Sequence, residues 1–242
     1  MDSSAIDRGA ALAAYHQDHV VNCERCPLHR TRTQVVVGSG DPTAAVMFVG
    51  EAPGYHEDRS GIPFVGQAGK LLDQLLIGIG LRREQVFVAN VLKCRPPENR
   101  DPLPAEIEAC EAHLFRQVAL IQPKLICTLG NFATKLLSGR PDGISRVHGV
   151  PVQMTLGGTR TMLYPLFHPA AALYMPSMRA TLEADFARIP ELLRASGAVV
   201  SAPAPASQQG PGSHDPSGVS PRATPPPAPP TTTGADGQMG LF

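Results

Sequence analysis

The sequence predicts a three-layer α/β/α fold with a central, mainly parallel four-stranded sheet. Four short apolar runs, each of strand length, alternate along the chain with segments whose apolar residues recur at helical spacing. This alternation favours parallel strands that lie side by side, with helices covering both faces of the sheet. In such a fold, functional residues lie at the carboxyl ends of the strands.

Each predicted element follows from its local pattern. Residues 71–79 and 107–121 each place apolar side chains on one helical face, and Pro104 suits the first turn of the second of these helices. Residues 177–194 form a predicted closing helix. The four predicted strands are residues 46–50, 86–90, 125–129 and 162–167. Within the third strand, Cys127 has the pattern of a small buried core residue.

The composition sets the extent of the folded part. The chain has 242 residues, and its 43% hydrophobic content is ordinary for a globular protein. From Ser201 onward Pro, Ala, Ser, Gly and Thr dominate, and a segment of that composition cannot bury a core. We therefore expect a folded domain at 1–198, a disordered linker at 199–237 and a short terminal peptide at 238–242.

Charge and cysteine content narrow the class of protein. Basic and acidic residues number 21 each, so the chain has no overall field that attracts polyanions, and any nucleic-acid contact must be local. The first residues lack the features of a signal peptide, and no apolar run approaches the length of a membrane span. We expect a cytoplasmic protein with no membrane partner, whose five cysteines are not paired in disulfides.

Two glycine-rich loops follow the first predicted strand, at residues 50–54 and 61–69. Glycines allow a ligand to approach the backbone closely, and the second loop leads into a helix whose amino terminus favours anionic groups. A nucleotide phosphate or an anionic base suits such a site. A glycine-rich turn with a purely structural role is the alternative for either loop taken alone.

Polar and basic residues follow the second and fourth strands. Asn90 ends the second strand, and its amide offers a donor and an acceptor to a base edge. Lys93, Arg95 and Arg100 come next and could contact phosphates, or could be ordinary surface residues. His168 follows the fourth strand, where an imidazole can serve either catalysis or structure.

Together these segments resemble the family-four uracil-DNA glycosylases, the iron–sulfur branch of the uracil-DNA glycosylase superfamily. The resemblance runs from about Cys23 to Arg194. Its carriers, in the expected order, are Gly50-Glu51-Ala52-Pro53-Gly54, Gly61-Ile62-Pro63-Phe64-Val65-Gly66, Asn90-Val91-Leu92-Lys93-Cys94-Arg95-Pro96-Pro97 and Leu166-Phe167-His168-Pro169. It implies a base-excision repair enzyme that hydrolyses the N-glycosidic bond of uracil in DNA, releasing uracil and leaving an abasic site.

The resemblance also implies how the site is used. A uracil flipped out of the helix would stack on Phe64 and bond to Asn90, with His168 near its O2 to stabilise the departing anion. The implied pocket residues are Gly50, Ala52, Pro53, Gly54, Phe64, Asn90 and His168.

Glu51 is the residue that we expect to orient the attacking water. Ala52 stands where the best-known branch of the superfamily has an aspartate, so Glu57 or Asp58 could share that role. No lysine is placed for Schiff-base chemistry, and we therefore expect a monofunctional enzyme.

Four cysteines form the candidate metal site. Cys23 and Cys26 are a CxxC pair, a spacing that by itself fits zinc, iron–sulfur or redox chemistry. Cys94 and Cys110, with fifteen residues between them, are unlike a second zinc knuckle. The whole set agrees with the ligand spacing of the resembled family and so implies a [4Fe-4S] cluster that acts as a structural staple. Zinc and unligated thiols are the alternatives.

The candidate DNA contacts are Arg25, Arg30, Lys93, Arg95, Leu173 and Met175. The four basic residues lie beside cysteines in the sequence, where they could contact phosphates or merely offset the charge of thiolates. The two apolar residues follow the His168-Pro169 motif, where the family presents a loop that wedges into the base stack. His148 lies in a loop that we expect to face DNA or solvent.

The last five residues resemble the short peptide by which bacterial repair proteins bind the sliding clamp. Gln238, Leu241 and Phe242 are its candidate contacts, and an accidental apolar terminus is the alternative. A disordered linker before the peptide would allow the enzyme to search DNA while tethered. We expect a nucleoid-associated monomer that acts on uracil-containing DNA.

Two other functions are consistent with parts of the sequence. A non-catalytic iron–sulfur protein that binds or senses DNA damage would keep the cysteines but would not need Phe64, Asn90 and His168 together. A nucleotide hydrolase would need a phosphate loop and a set of magnesium-binding carboxylates, and the sequence presents neither.

Overall fold

The computed structural model describes residues 3–197, and its centre is a six-stranded sheet in the order β1-β3-β2-β4-β6-β5. The strands are β1 (Ser39–Gly40), β2 (Val46–Gly50), β3 (Phe87–Asn90), β4 (Leu125–Leu129), β5 (Val152–Leu156) and β6 (Thr159–Leu166). The predicted α/β class is confirmed, but the predicted number of four strands is wrong. The predicted linker at 199–237 and peptide at 238–242 lie outside the described residues.

The four predicted strands are the parallel centre of the sheet, and the two additional strands are its antiparallel edges. β2 pairs in parallel with β3 and β4, and β4 pairs in parallel with β6. β1 has only two residues, too few to leave a hydrophobic pattern. β5 is mostly exposed because it has a neighbour on one side only, and it joins β6 through Gly157 and Gly158, both at positive φ.

Nine α-helices lie within the described range, together with a π-helical turn (His16–Val20) and three short 3-10 helices (Pro27–Arg30, Arg83–Gln85 and Pro97–Asn99). The α-helices are α1 (Ser3–Tyr15), α2 (Tyr55–Ser60), α3 (Gln67–Gly78), α4 (Pro104–Ile121), α5 (Asn131–Ser138), α6 (Ile144–Val147), α7 (Pro169–Ala172), α8 (Pro176–Ala187) and α9 (Ile189–Ala195). Pro104 begins α4 as predicted. The predicted closing helix is instead divided at Arg188, and Pro190 in the first turn of α9 lacks the N–H that an unbroken helix requires.

Helices pack on both faces of the sheet, which gives two core layers. Alternate residues of β2 point to opposite faces: Phe48 packs in one layer with side chains of α3, α8 and α9, and Met47 packs in the other with side chains of α1, α4 and α5. The Phe48 and Phe186 rings stack at 5.6 Å in the first layer. Cys127 is fully buried in that layer, which confirms its predicted core role.

The parallel strands bring their carboxyl ends to one edge of the sheet. Gly50 and Asn90 are register partners at the ends of β2 and β3, and Leu129 and Leu166 are partners at the ends of β4 and β6. The loops that carry the predicted motifs therefore begin beside one another. None of the helices between residues 3 and 197 combines the length and apolar character needed to cross a bilayer.

Candidate functional site

A pocket of about 350 Å³ opens at the carboxyl edge of the sheet. It is lined by Glu51, Ala52, Gly54, Glu57, Phe64, Ala68, Asn90, Asn99, His168 and Ala170. Seven residues that the sequence indicated, counting Glu57, are therefore brought together, from three different strand ends. Gly50 lies against the side chains of Phe64 and Asn90. Pro53 is buried in the loop between the lining residues Ala52 and Gly54. Sequence reasoning missed Ala68, Asn99 and Ala170.

The absence of a side chain at Gly50 allows the pocket to form. A Cβ atom at this position would lie 2.6 Å from Cζ of Phe64 and would overlap Oδ1 of Asn90. Real Cβ atoms do not approach other atoms that closely, so any larger residue would displace one of these side chains. Gly50 therefore permits the ring and the amide to meet over the end of β2.

The Asn90 side chain is prepared for a polar ligand. The residue is only 2% exposed, and its Oδ1 has no hydrogen-bond partner among the described residues. An unsatisfied buried polar atom costs about 1–3 kcal/mol, so a protein rarely keeps one without a reason. Because Asn90 lines the pocket, a bound ligand that donates to this oxygen would remove the cost.

Phe64 is held in a left-handed backbone conformation, with φ of 54°. Oε1 of Glu57 accepts hydrogen bonds from the amides of Val65 and Gly66, both at 2.9 Å, and so fixes the chain just after the ring. Gly69 packs directly against the Phe64 carbonyl, where a Cβ atom would clash. These contacts hold the backbone on both sides of Phe64, and the centroid of its ring lies 5.6 Å from that of the His168 imidazole.

Arg83, which sequence reasoning did not single out, supports the same loop from behind. Its guanidinium donates to the Phe64 carbonyl at 3.3 Å and to the Pro63 carbonyl, and it forms an ion pair with Asp73 at 3.1 Å. No motif in the sequence pointed to this residue, because its role depends on a contact across nineteen positions.

His168 is oriented as a neutral hydrogen-bond donor. Its Nδ1 accepts the backbone N–H of Ala170 at 3.1 Å, which leaves the proton of a neutral imidazole on Nε2. Burial lowers the pKa of His168 to about 4, and the opposing effect of the Glu57 carboxylate is smaller. Gly130, at φ of +91°, leaves room for the ring, since a Cβ there would lie 3.2 Å from that of His168.

The three carboxyl groups that the sequence offered for orienting the attacking water have different environments. Glu57 is engaged with the Phe64 loop, and Asp58 is buried and accepts the backbone N–H of Thr33 at 2.9 Å. The Glu51 carboxyl has no hydrogen-bond partner among residues 3–197. Burial, reinforced by the charge of Asp101, raises the pKa of Glu51 to about 7. Of the three, Glu51 is the acid available to a water molecule.

The four predicted metal-ligating cysteines lie beside the pocket, on the arm before β1, on the loop after β3 and on α4. Arg32 Nη1 lies 3.4 Å from Sγ of Cys94, and the backbone N–H of Lys93 donates to Sγ of Cys110 at 3.3 Å. Burial raises the pKa of Cys94, and the charges of Cys26 and Cys23 contribute further.

The sulfur of Cys23 also has a polar neighbour, the imidazole of His113. Tyr15 Oη lies 2.8 Å from Nδ1 of His113, whose Nε2 lies 3.3 Å from Sγ of Cys23. Burial lowers the pKa of His113 to about 4, so the ring is neutral and one of its two nitrogens carries the proton in this chain of contacts. As the side chains stand, no three His, Cys, Asp or Glu residues within the described range are placed to hold a metal ion. Thiols surrounded by donors nevertheless fit an anionic thiolate-ligated group.

The expectation that Lys93 contacts DNA is wrong, because the side chain is fully buried. Its Nζ donates to the Asn90 carbonyl at 2.7 Å and to Oε1 of Gln117 at 2.6 Å. Burial lowers the pKa of Lys93 to about 8, although the neighbouring Cys110 and Cys94 act in the opposite direction. Lys93 therefore connects the pocket to the cysteine site. Gln117 was missed by sequence reasoning, although it lies one helical turn from Leu114 on the inner face of α4.

Two further side chains are less available to DNA than the sequence suggested. Arg100 is paired through both Nη atoms with the buried Glu106, at 2.9 and 2.6 Å, and is not free to meet a phosphate. His148 does not simply face DNA or solvent, because its Nδ1 lies 2.8 Å from Asp185 Oδ2 and its ring centroid lies 4.5 Å from that of Phe167.

The remaining predicted DNA contacts are at the surface. Arg25 and Arg30 are exposed on the amino-terminal arm, and Arg95 is partly exposed beside the pocket. Leu173 and Met175 are 39% and 49% exposed in the loop after α7. Tyr174 between them is 86% exposed and was missed by sequence reasoning. The predicted clamp contacts Gln238, Leu241 and Phe242 lie outside the described residues.

Comparison with known proteins adds independent information. A sequence profile described as "Uracil DNA glycosylase superfamily" matches residues 37–194. A type-4 uracil-DNA glycosylase of Archaeoglobus fulgidus is 48% identical over 177 residues, covering 72% of this chain and 89% of the relative. Those of Sulfurisphaera tokodaii and Thermotoga maritima are 48% identical over 181 residues and 46% identical over 157 residues. The matched parts cover 73% and 64% of this chain, and 82% and 80% of the relatives.

Proposed function

Because the chain belongs to the uracil-DNA glycosylase superfamily, in its type-4 branch, we propose that it excises uracil from DNA. The enzyme hydrolyses the N-glycosidic bond, releases free uracil and leaves an abasic site. The observation that carries this function is the convergence of Phe64, Asn90 and His168 on one pocket, which the carboxyl of Glu51 also lines. A damage sensor without catalysis would not need this combination.

The pocket is suited to one extrahelical base. A glycosidic bond inside a stacked duplex is out of reach, so the nucleotide must be flipped out before the base can enter. Phe64 offers a fixed aromatic surface for stacking, and the Asn90 amide offers Oδ1 to the N3–H of uracil and its NH₂ to O4. Cytosine has no proton at N3 and an amino group at C4, so the same amide orientation would oppose it.

Catalysis follows from the neutral state of His168. As the glycosidic bond breaks, negative charge develops on uracil O2, and the Nε2–H of His168 can donate to that oxygen without prior reorganisation. The Glu51 carboxylate accepts a proton from the attacking water or orients that water toward C1′. The pKa of Glu51, about 7, makes the ionised form available at neutral pH.

A lysine nucleophile is not part of this mechanism. Lys93 is the lysine next to the pocket, and its ammonium is held by the Asn90 carbonyl and the Gln117 amide. It is therefore not free to form a Schiff base. We propose a monofunctional enzyme that leaves the sugar–phosphate backbone intact.

We assign a [4Fe-4S] cluster to Cys23, Cys26, Cys94 and Cys110, because a polar N–H or ring nitrogen lies within hydrogen-bonding distance of the sulfur atoms of Cys23, Cys94 and Cys110, and because the family-four glycosylases that the sequence resembles are the iron–sulfur branch. When bound, the cluster supplies a cross-link between the amino-terminal arm, the loop after β3 and α4. Hydrolysis of a glycosidic bond transfers no electrons, so the cysteines act by fixing the loop that follows Asn90.

The remaining proposals concern partners and location. Arg25, Arg30 and Arg95 contact DNA phosphates, and the exposed loop of Leu173, Tyr174 and Met175 wedges into the base stack. The terminal peptide 238–242 binds a bacterial sliding clamp. We further propose a monomer that works in the cytoplasm on the nucleoid, where its DNA substrate lies.

The direct test is incubation of the full chain with uracil-containing and matched uracil-free oligonucleotides. We expect free uracil and alkali-sensitive strands from the first substrate only, with no strand cleavage before alkali. Absence of uracil release from both single-stranded and duplex substrates would refute the proposed function. Clamp affinity of the full chain, compared with a chain ending at Gly237, tests the terminal peptide separately.

A further inference from the structure

Two arginine side chains converge on one exposed tyrosine at the mouth of the pocket. The guanidinium carbon of Arg95 lies 5.3 Å from the Tyr55 ring centroid, and that of Arg59 lies 5.7 Å from it. Both distances are within the range of cation–π contacts. Tyr55 is 50% exposed, so the group is accessible from solvent. We name these three residues the Arg59–Tyr55–Arg95 cluster.

Neither guanidinium of the cluster has a carboxylate partner among residues 3–197. The acids nearest to Arg59 in the sequence are already engaged, because Glu57 and Asp58 accept backbone N–H groups. Glu98, the acid nearest to Arg95 in the sequence, forms no ion pair with it. Arg95 donates through Nε to the neutral amide of Asn99 at 2.7 Å, which leaves its positive charge uncompensated. Two positive charges, at most about 11 Å apart, are thus held together without an anion.

The cluster adjoins the pocket through two wall residues. Tyr55 directly follows Gly54, and Arg95 is bonded to Asn99, while Gly54 and Asn99 both line the pocket. A nucleotide whose base enters the pocket must leave its own phosphates at the mouth. These groups would therefore lie next to the cluster, where planar guanidinium groups match the geometry of phosphate oxygens.

We propose that the Arg59–Tyr55–Arg95 cluster binds phosphodiester groups next to the flipped nucleotide, on the strand that carries the target base. Arg59 and Arg95 contact the phosphate oxygens, and Tyr55 is a positioning residue whose ring holds both guanidinium groups in place. The inference rests on the proposed function for the identity of its ligand. It explains how a chain with no net charge can hold DNA at the site, since the attraction is local.

The test is the salt dependence of binding to a fluorescent oligonucleotide that carries one uracil on a sugar whose glycosidic bond cannot be hydrolysed, measured by anisotropy on single strands and on duplex. For Arg59→Gln and for Arg95→Gln we expect the slope of log affinity against log salt to shrink by about 0.7 on single strands and about 0.9 on duplex. Tyr55→Leu should weaken binding about two- to fivefold, and Tyr55→Phe should bind like the original chain.

The matched control is Arg160→Gln, because Arg160 is exposed at the amino-terminal end of β6, on the opposite edge of the sheet. Its slope should equal that of the original chain. Slopes for Arg59→Gln and Arg95→Gln that equal the control would overturn the phosphate site, even if the original chain releases uracil. Reduced slopes in a chain that releases no uracil would support the phosphate site and refute the proposed function instead.

Discussion

The uracil pocket and the cysteine site share one short stretch of chain, residues 90–94, but they are built in opposite ways. In the pocket, Oδ1 of Asn90 and the carboxyl of Glu51 have no hydrogen-bond partner among the described residues. At the cysteine site, by contrast, nitrogen atoms of Arg32, Lys93 and His113 lie within hydrogen-bonding distance of the sulfur atoms of Cys94, Cys110 and Cys23. One region is prepared for an exchangeable ligand, and the other is prepared for a permanent one.

Lys93 is where the two regions meet. Its backbone N–H donates to Cys110 and its ammonium donates to the carbonyl of Asn90, so one residue contacts both sites. The comparison therefore predicts three kinds of variant. Changes at the cysteines should reduce stability and activity together, and changes in the pocket should reduce activity alone. Changes at Lys93 should act on the cysteine site and on the pocket, with a smaller loss of stability and of activity.

The largest effect should come from Cys110→Ser. Loss of a cross-link between α4 and the loop after β3 should lower the free energy of unfolding by about 2–5 kcal/mol, the range for loss of a native covalent cross-link. Iron content, thermal unfolding and uracil release should all fall.

The control for this change is Cys127→Ser, which alters a buried cysteine of the opposite core layer. It should retain iron and activity, although a hydroxyl without a partner in the core lowers stability by about 1–3 kcal/mol. Full iron content in Cys110→Ser would exclude Cys110 as a ligand.

The next largest effect should be that of His168→Ala. Removal of one preorganised donor to a developing anion typically reduces the rate about 10²- to 10³-fold, and we expect that loss in single-turnover uracil release. The unfolding temperature and iron content should stay at the level of the unchanged chain. His19→Ala, at an exposed histidine of the arm, is the control. A rate unchanged by His168→Ala would remove His168 from the mechanism.

Lys93→Met should give a smaller effect that appears in both regions. The substitution keeps the side-chain length but leaves the Asn90 carbonyl and the Gln117 amide without their donor. We expect about 1–3 kcal/mol of lost stability and a rate lower by about tenfold, measured by chemical unfolding and by single-turnover kinetics. Lys135→Met, at an exposed position of α5, should change neither quantity. If Lys93→Met lowered stability but left the rate unchanged, Lys93 would not connect the pocket to the cysteine site.

The smallest expected effect is the dependence of the rate of uracil release on pH. The pKa of Glu51 is raised to about 7, so its ionised form is lost as the pH falls below 7, and the rate should then fall about tenfold per pH unit. The pKa of His168 is lowered to about 4, so this residue stays neutral above pH 5 and cannot cause the same decline. Glu51→Gln should be slower and should lose this acidic limb. A limb that persists in Glu51→Gln would assign it to another group.

The sequence predicted the parallel centre of the sheet well, because buried parallel strands are continuous apolar runs. It could not reveal β1, which is too short for a pattern, or β5, whose single neighbour leaves it exposed. Within the site, the motifs correctly indicated Asn90, Phe64 and His168 as neighbours in one pocket.

Residues with supporting roles were harder to predict from sequence. Lys93 looked like a phosphate contact, because a lysine in a loop is usually exposed and only the packing of α4 buries it. Arg83 and Gln117 were missed because their partners are distant in sequence. Tyr55 and Arg59 belong to no chemical motif, and their contact with Arg95 arises only when the loops after β2 and β3 meet.

The most direct measurement is single-turnover release of uracil by Asn90→Ala, compared with the unchanged chain on the same oligonucleotide. We expect uracil release to become about 10²- to 10³-fold slower while the unfolding temperature and iron content stay the same, because Asn90 is the proposed contact to the base and is not a proposed ligand of the cluster. Uracil release by Asn90→Ala at the rate of the unchanged chain would contradict the claim that this pocket performs the reaction.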